Sequence, residues 1–194
     1  MMKKENKTHG VQLLIRCVVR DPDGKIVTDT GRKPAKSFVL QFLDFIHGLF
    51  YITGASEKDA KDVNNVTDRF VRGFSACASH FYADAGINDS SHGVVIGTGD
   101  TAETNIDYKL ETQLTEGVGA GNITHGTTVV DSAGEVGANV DMEIKRAFIN
   151  NTGSAITVKE AGVYVKGMAG NAFCIIRDVL LASVDVSISK DAVH

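Results

Sequence analysis

Gly93-Val94-Val95-Ile96-Gly97-Thr98-Gly99-Asp100-Thr101-Ala102-Glu103-Thr104-Asn105-Ile106-Asp107-Tyr108-Lys109-Leu110-Glu111-Thr112-Gln113-Leu114 is the stretch on which the reading of the fold turns. Val94, Val95 and Ile96 are consecutive and β-branched, so they predict a short buried strand. Gly97 and Gly99 then free the backbone for conformations that other residues avoid. Apolar residues return at Ile106, Leu110 and Leu114, a step of four that suits one or two helical turns.

Downstream of Leu114 the pattern is that of successive strands. Glu116–Gly126 reads as a glycine-rich loop, and Val129-Val130 begins a strand that Ser132–Gly137 ends. Val140, Met142 and Ile144 alternate with Asp141, Glu143 and Lys145, as in a strand with one wet face. Asn150–Gly153 is a turn. Ile156 and Val158, then Ala161, Val163 and Val165, continue the alternation, and the carboxylates scattered through these strands fall on the wet face. Phe173–Ile176 is a continuous apolar strand, and Val184, Val186 and Ile188 close the pattern. Strands about ten residues apart, separated by turns, describe a sandwich or barrel.

Upstream, Leu13, Ile15, Cys17 and Val19 alternate with polar residues, and Asp21-Pro22-Asp23-Gly24 is a turn signal that returns Lys25–Thr30 as the second arm of a hairpin. Ser37 reads as the N-cap of a helix over Phe38–His47, with Gly48 as its stop. Two adjacent apolar stripes leave that helix little face for water, so it is either the plug of the core or part core and part interface. Asp68–Phe81 fits a helix or a strand. Met1–His9 is polar and basic. The expected class is mainly β with a minor α contribution: an antiparallel β-sandwich with one buried N-terminal helix. Residues 1–10 form an arm, 11–92 a hairpin and helix region, and 93–194 a sandwich-like region, with the last two in one continuous domain.

The 194 residues suffice to bury roughly 70% of the surface of the extended chain. Hydrophobic (43%) and charged (23%) fractions are those of a soluble globular protein. A formal charge of −4 gives no electrostatic drive toward nucleic acid or anionic membrane. Cys17, Cys77 and Cys174 are odd in number and form no CxxC pair, so they read as small hydrophobes. No secretory signal or membrane span is expected.

Chemistry is hard to find. Gly97-Thr98-Gly99-Asp100-Thr101-Ala102 fits G-x-G-x-x-A, but no βα alternation follows and Asp100 sets a carboxylate where a pyrophosphate needs donors. The six histidines never pair at metal-ligand spacing. Ser90-Ser91-His92 reads as an exposed turn, Asp21 and Asp23 are too few for a calcium loop, and Arg69, Arg72, Arg146 and Arg177 are isolated. No catalytic residue, cofactor or metal site is expected.

Taken together, several segments carry a resemblance: Val94–Ala102 with Asp107-Tyr108-Lys109-Leu110, Ile144–Asn151 with Ile156–Val165, and Phe173–Leu180 with a terminal strand. They are similar to virion structural proteins of tailed bacteriophages, of the tail-fibre attachment, adaptor or decoration type. The resemblance spans about Gly93–Ile188. Ala161 and Val163 replace the commoner residues of that strand, and no fibrous shaft follows, which favours the domain alone over a complete fibre. It implies a non-enzymatic virion subunit (tail, neck or collar adaptor, or capsid decoration). Such a subunit would be made in the host cytoplasm and would contact copies of itself, other virion proteins and, in some arrangements, a host receptor. Lys3, Lys4, Lys7, Gly97, Gly99, Asp100 and Thr101 are the expected assembly interface. A receptor- or carbohydrate-binding sandwich module is the alternative, and an enzyme a third reading.

Overall fold

The computed structural model describes residues 11–35, 38–49, 58–66, 69–71, 82–137, 139–167 and 170–187. The arm with Lys3, Lys4 and Lys7, the Ser37 cap, Cys77 and most of Asp68–Phe81 lie outside the described residues.

In chain order the elements are β1 (Leu14–Ile15), β2 (Val18–Arg20), β3 (Ile26–Asp29), β4 (Lys33–Pro34), α1 (Leu40–Leu49), β5 (Lys58–Ala60), β6 (Arg69–Val71) and β7 (Gly93–Gly97). They continue with β8 (Thr115–Glu116), β9 (Asn122–Val130), β10 (Gly134–Val136), β11 (Asn139–Asp141), β12 (Ile144–Ile149), β13 (Ile156–Lys166) and β14 (Ala172–Val186). The protein is mainly β, with several antiparallel sheets. Two sheets have three strands, in the orders β14-β13-β7 and β12-β9-β8; the short β8–β9 pair is parallel.

The N-terminal hairpin follows from its turn. Gly24 takes φ 82°, and its N–H donates to Asp21 O at 2.9 Å, so β2 and β3 pair antiparallel. Val19 is buried, whereas Val18 and Arg20 are exposed, as the alternation requires. The helix starts two residues later than its sequence pattern suggests, at Leu40. The segment before it runs along β14 instead: Phe38 bridges Ile176, and Val39 N–H donates to Ile175 O at 3.2 Å. Val39 and Gln41 are buried, while Leu40 and Leu43 lie exposed.

β13 is the centre of the fold. It pairs with β14 on one side and β7 on the other; Ala161, Tyr164 and Val165 are all buried, so neither face is wet there. Ile96 of β7, Val158 and Ala161 of β13, Ile123 of β9 and Leu114 share one apolar cluster, with Phe148 of β12 packed against it. Residues of both three-stranded sheets thus meet in a common core.

Two sequence expectations give way here. Asn122–Gly126, read as loop, is the first half of β9, which the parallel pairing with β8 begins. Ile106–Leu114 forms no helix: Leu110 and Leu114 are buried but Ile106 is 69% exposed. The chain is instead strapped along the edge of β7, with Thr98 N–H donating to Thr112 O and Leu114 N–H to Ile96 O, both at 2.9 Å. Buried Tyr164 Oη takes the Leu110 N–H at 2.6 Å. Sheet-edge and side-chain partners satisfy the backbone that a helix would have satisfied locally.

Candidate functional site

The loop that the glycines open after β7 closes over a buried ion network. Glu160 enters from β13 in phase with Val158, and its side chain is fully buried. Its Oε1 accepts from Thr112 N–H at 2.8 Å and Gly99 N–H at 3.2 Å; its Oε2 accepts from Glu111 N–H at 3.0 Å and Arg177 Nε at 3.1 Å. Arg177, on β14, carries the network outward to Asp107 Oδ2 at 2.6 Å and Thr101 O at 3.0 Å. Asp107 in turn accepts from the Thr104 N–H and hydroxyl, and Glu111 from those of Thr101.

The electrostatics follow from that geometry. Burial pushes the Asp107 carboxyl up, but hydrogen bonds from Thr104 and Arg177 outweigh it and hold it below the usual carboxylate range. Burial opposes the charge of Arg177, but Asp107 and Glu160 outweigh it and raise its affinity for the proton. Glu160 has four N–H donors on its two oxygens. The arrangement positions a loop.

The glycines serve this closure. A Cβ on Gly97 would lie 2.5 Å from both Glu160 Oε1 and Thr112 O, and one on Gly99 would lie 2.6 Å from Glu111 Cβ. The G-x-G spacing therefore lets a carboxylate of the same chain approach the backbone, and the Gly99 N–H that a phosphate would need already has Glu160. Of the expected interface residues, Gly97 and Gly99 are buried, whereas Asp100 and Thr101 are exposed at the loop surface. Asp100 pairs with Lys159 at 2.8 Å, which holds its carboxyl below the usual range.

A second network was not legible as one. Arg146 of β12, isolated in sequence, donates to the carbonyls of Gly126, His92, Val94, Gly86 and Asp89. It pins the segment before β7 onto β9. His92, expected in an exposed turn, is instead buried: its Nδ1 lies 3.2 Å from Asp89 Oδ2 and 3.3 Å from Ser91 Oγ. Both neighbours address the same ring nitrogen. His125 is likewise buried, with Nδ1 near Glu116 Oε2 (3.0 Å) and Ile123 O (2.9 Å).

Both histidines have their proton affinity lowered. Burial is the main cause, helped by Lys166 and then Arg146 at His92, and by Arg146 at His125; Asp89 and Asp84 oppose it at His92, and Glu116 at His125. The unfolded chain takes up these protons first, so stability is full above about pH 6.5 and declines as pH falls below it. The unfolding free energy from urea titrations should drop from pH 7.5 to pH 5.5, by at most about 1.4 kcal/mol per pH unit per histidine, with the midpoint falling accordingly. His92→Gln should flatten the slope; a pH-independent midpoint over that range would refute the assignment.

Cys174 is buried and its thiol is pushed up by that burial; Cys17 is half-buried with the same direction of shift. Among the described residues no three His, Cys, Asp or Glu side chains are placed to hold a metal ion, and no helix is long and apolar enough to cross a membrane. No family model matches the chain, and neither a curated protein nor a solved structure does.

Proposed function

We propose that the chain is a non-enzymatic structural subunit of a tailed-phage virion, which works by contact with copies of itself and with neighbouring virion proteins. The observation that carries the reading is the closed loop. Its glycines and backbone donors are spent on Glu160, and Arg177 locks the Thr101 and Asp107 ends of the segment to β14. What results is a fixed outward surface of Asp100, Thr101, Ala102 and Ile106 on a rigid sheet. Such a surface suits recognition between proteins, where pre-ordered loops lower the entropy cost of contact.

The reading includes a sandwich of the two three-stranded sheets; the helix expected at the N-terminus lies instead at Leu40–Leu49, after four strands, with Leu40 and Leu43 exposed. The core shared by β7, β9 and β13 supports the sandwich. The resemblance of Val94–Ala102, Ile156–Val165 and Phe173–Leu180 to virion proteins supplies the particle. Quantitative mass spectrometry of purified virions is expected to find the protein at a copy number that matches a particle symmetry axis. Its absence from virions, with the protein present in the infected cytoplasm, would overturn the proposal.

A further inference from the structure

Residues 82–92 precede β7 and join no sheet beyond an isolated bridge from Tyr82 to Lys166 of β13. They nevertheless cover a strand edge. Past the short β8, the His125 N–H of β9 donates to the Glu116 side chain at 2.8 Å, and the His125 carbonyl accepts the Asn88 N–H at 2.8 Å. Further along β9, the Thr128 N–H donates to Ala85 O at 2.8 Å. Bare backbone on such an edge is a template for another chain, and this segment keeps it closed. Arg146 clamps the segment through the carbonyls of Gly86, Asp89 and His92, and Gln113 Nε2 donates to Ser90 O at 2.7 Å. Apolar burial adds little. Ala83 and Ala85 are buried, whereas Ile87 is 69% exposed. A segment attached by hydrogen bonds, with so little apolar contact, opens more readily than the core beneath it.

Both buried histidines bear on that attachment: His92 lies within the segment, and His125 holds it by its carbonyl. In each ring Nδ1 faces a carboxylate, Asp89 at 3.2 Å from His92 and Glu116 at 3.0 Å from His125, so Nδ1 carries the hydrogen of the neutral ring. Proton uptake therefore falls on Nε2. In both rings that atom is buried and has no hydrogen-bond partner among the described residues, so the new N–H would find no acceptor in the closed form. Tyr82 meets the His92 ring edge-on at 5.1 Å, and Phe148 meets that of His125 at 5.2 Å. The charges around the pair are Asp84 and Asp89 of the segment, Glu116 of β8, Arg146 of β12 and Lys166 of β13. Lys166 already lies 3.5 Å from Asp89. Arg146 is held by carbonyls and makes no ion pair among the described residues, so an added positive charge acts on the clamp itself.

We propose that residues 82–92 are a proton-released cover: protonation of His92 and His125 at Nε2 detaches the segment from β9, β12 and β13 and bares the β9 edge at His125 and Thr128, while the β14-β13-β7 sheet stays folded. Opening brings water to both Nε2 atoms and separates the imidazolium of His92 from Arg146 and Lys166. Release therefore sets in below about pH 6.5, where free imidazole takes up its proton, and reverses above it. The device is contained in a single copy, so it goes beyond the virion reading and does not depend on it.

Amide hydrogen exchange read by NMR at pH 7.5 and pH 5.5 tests it, with each rate divided by the intrinsic rate at the same pH. Between the two, protection of the Asn88 and Thr128 amides should fall about ten-fold or more, while amides within the β13–β14 pair keep theirs. The variant with both His92→Gln and His125→Gln should show the same protection at Asn88 and Thr128 at either pH. Unchanged protection in the wild type overturns the proposal, and so does a loss shared equally by β13 and β14, which would be unfolding of the whole domain. A folded double variant that keeps the pH dependence overturns it as well. Should the double variant fail to fold by circular dichroism, the wild-type comparison decides alone.

Discussion

Glu160→Gln is expected to lower the stability of the protein by about 3–5 kcal/mol, the range for breaking a buried ion pair from one side. Size is preserved, so the loss comes from charge and hydrogen bonding alone. All four groups that meet the Glu160 carboxylate are N–H donors: those of Gly99, Glu111 and Thr112, and Arg177 Nε. An amide can offer them one oxygen; its NH2 would face a donor with no acceptor in reach, leaving buried polar groups unpaired. Arg177→Met should cost a similar amount, because Glu160 would lose its counter-charge in a fully buried position. The double variant should cost clearly less than the two singles together, since each single leaves a charge stranded that the double removes. Urea unfolding measures all three. Amide exchange then locates the damage: protection should fall first in Gly97–Leu114 and hold in β9 and β12. A Glu160→Gln protein within 1 kcal/mol of wild type would mean that the network merely decorates a loop held by other contacts.

Much of the fold could be read from period-two patterning, and the failures have a common cause. The hairpin at Asp21–Gly24 was legible because its turn chemistry is local. The first half of β9 was not legible because Asn122 and Gly126 are poor strand formers; their pairing with β8 and β12 is a tertiary decision. Ile106–Leu114 mimicked a helix because Leu110 and Leu114 are both buried, yet their partners lie on β7 and β13 rather than along their own segment. The ion network was written in the sequence, but the sign went unread. Glu160 stands in phase with Ile156 and Val158, where a wet-face carboxylate would be out of phase, and Arg177 interrupts the apolar run Phe173–Leu180. Two opposite charges at inward positions of two paired strands are costly unless they meet, and in β13 and β14 they do. The carbonyl cluster around Arg146 left no such trace, because its acceptors are backbone atoms that any sequence would supply.

Gly97→Ala is the second large effect expected, at about 3 kcal/mol, a sum of steric displacement and lost hydrogen bonds. Space, rather than backbone conformation, sets the cost at this buried position. The new methyl would lie 2.5 Å from Thr112 O, and that carbonyl is already fixed by the Thr98 N–H at 2.9 Å. The other close neighbour, Glu160 Oε1 at 2.5 Å, is held by Thr112 N–H and Gly99 N–H. Neither can retreat without opening the loop. At Gly99 the nearest atoms belong to the Glu111 side chain, 2.6 Å away at Cβ and 2.7 Å at Oε2, and to Glu160 Oε1 at 2.7 Å. The Glu111 carboxylate can swing into solvent, so Gly99→Ala should cost less, about 1–2 kcal/mol. Gly153, with nothing within 4 Å of a Cβ, should accept Ala within about 0.5 kcal/mol. The order Gly97, Gly99, Gly153 is therefore the signature of a loop closed over its own carboxylate. A loop that instead kept its donors for a phosphate would behave differently: inorganic phosphate would raise the thermal midpoint of wild type, and Gly97→Ala would abolish that rise. Phosphate is expected to leave the midpoint unmoved, because its place beside the Gly99 N–H belongs to Glu160.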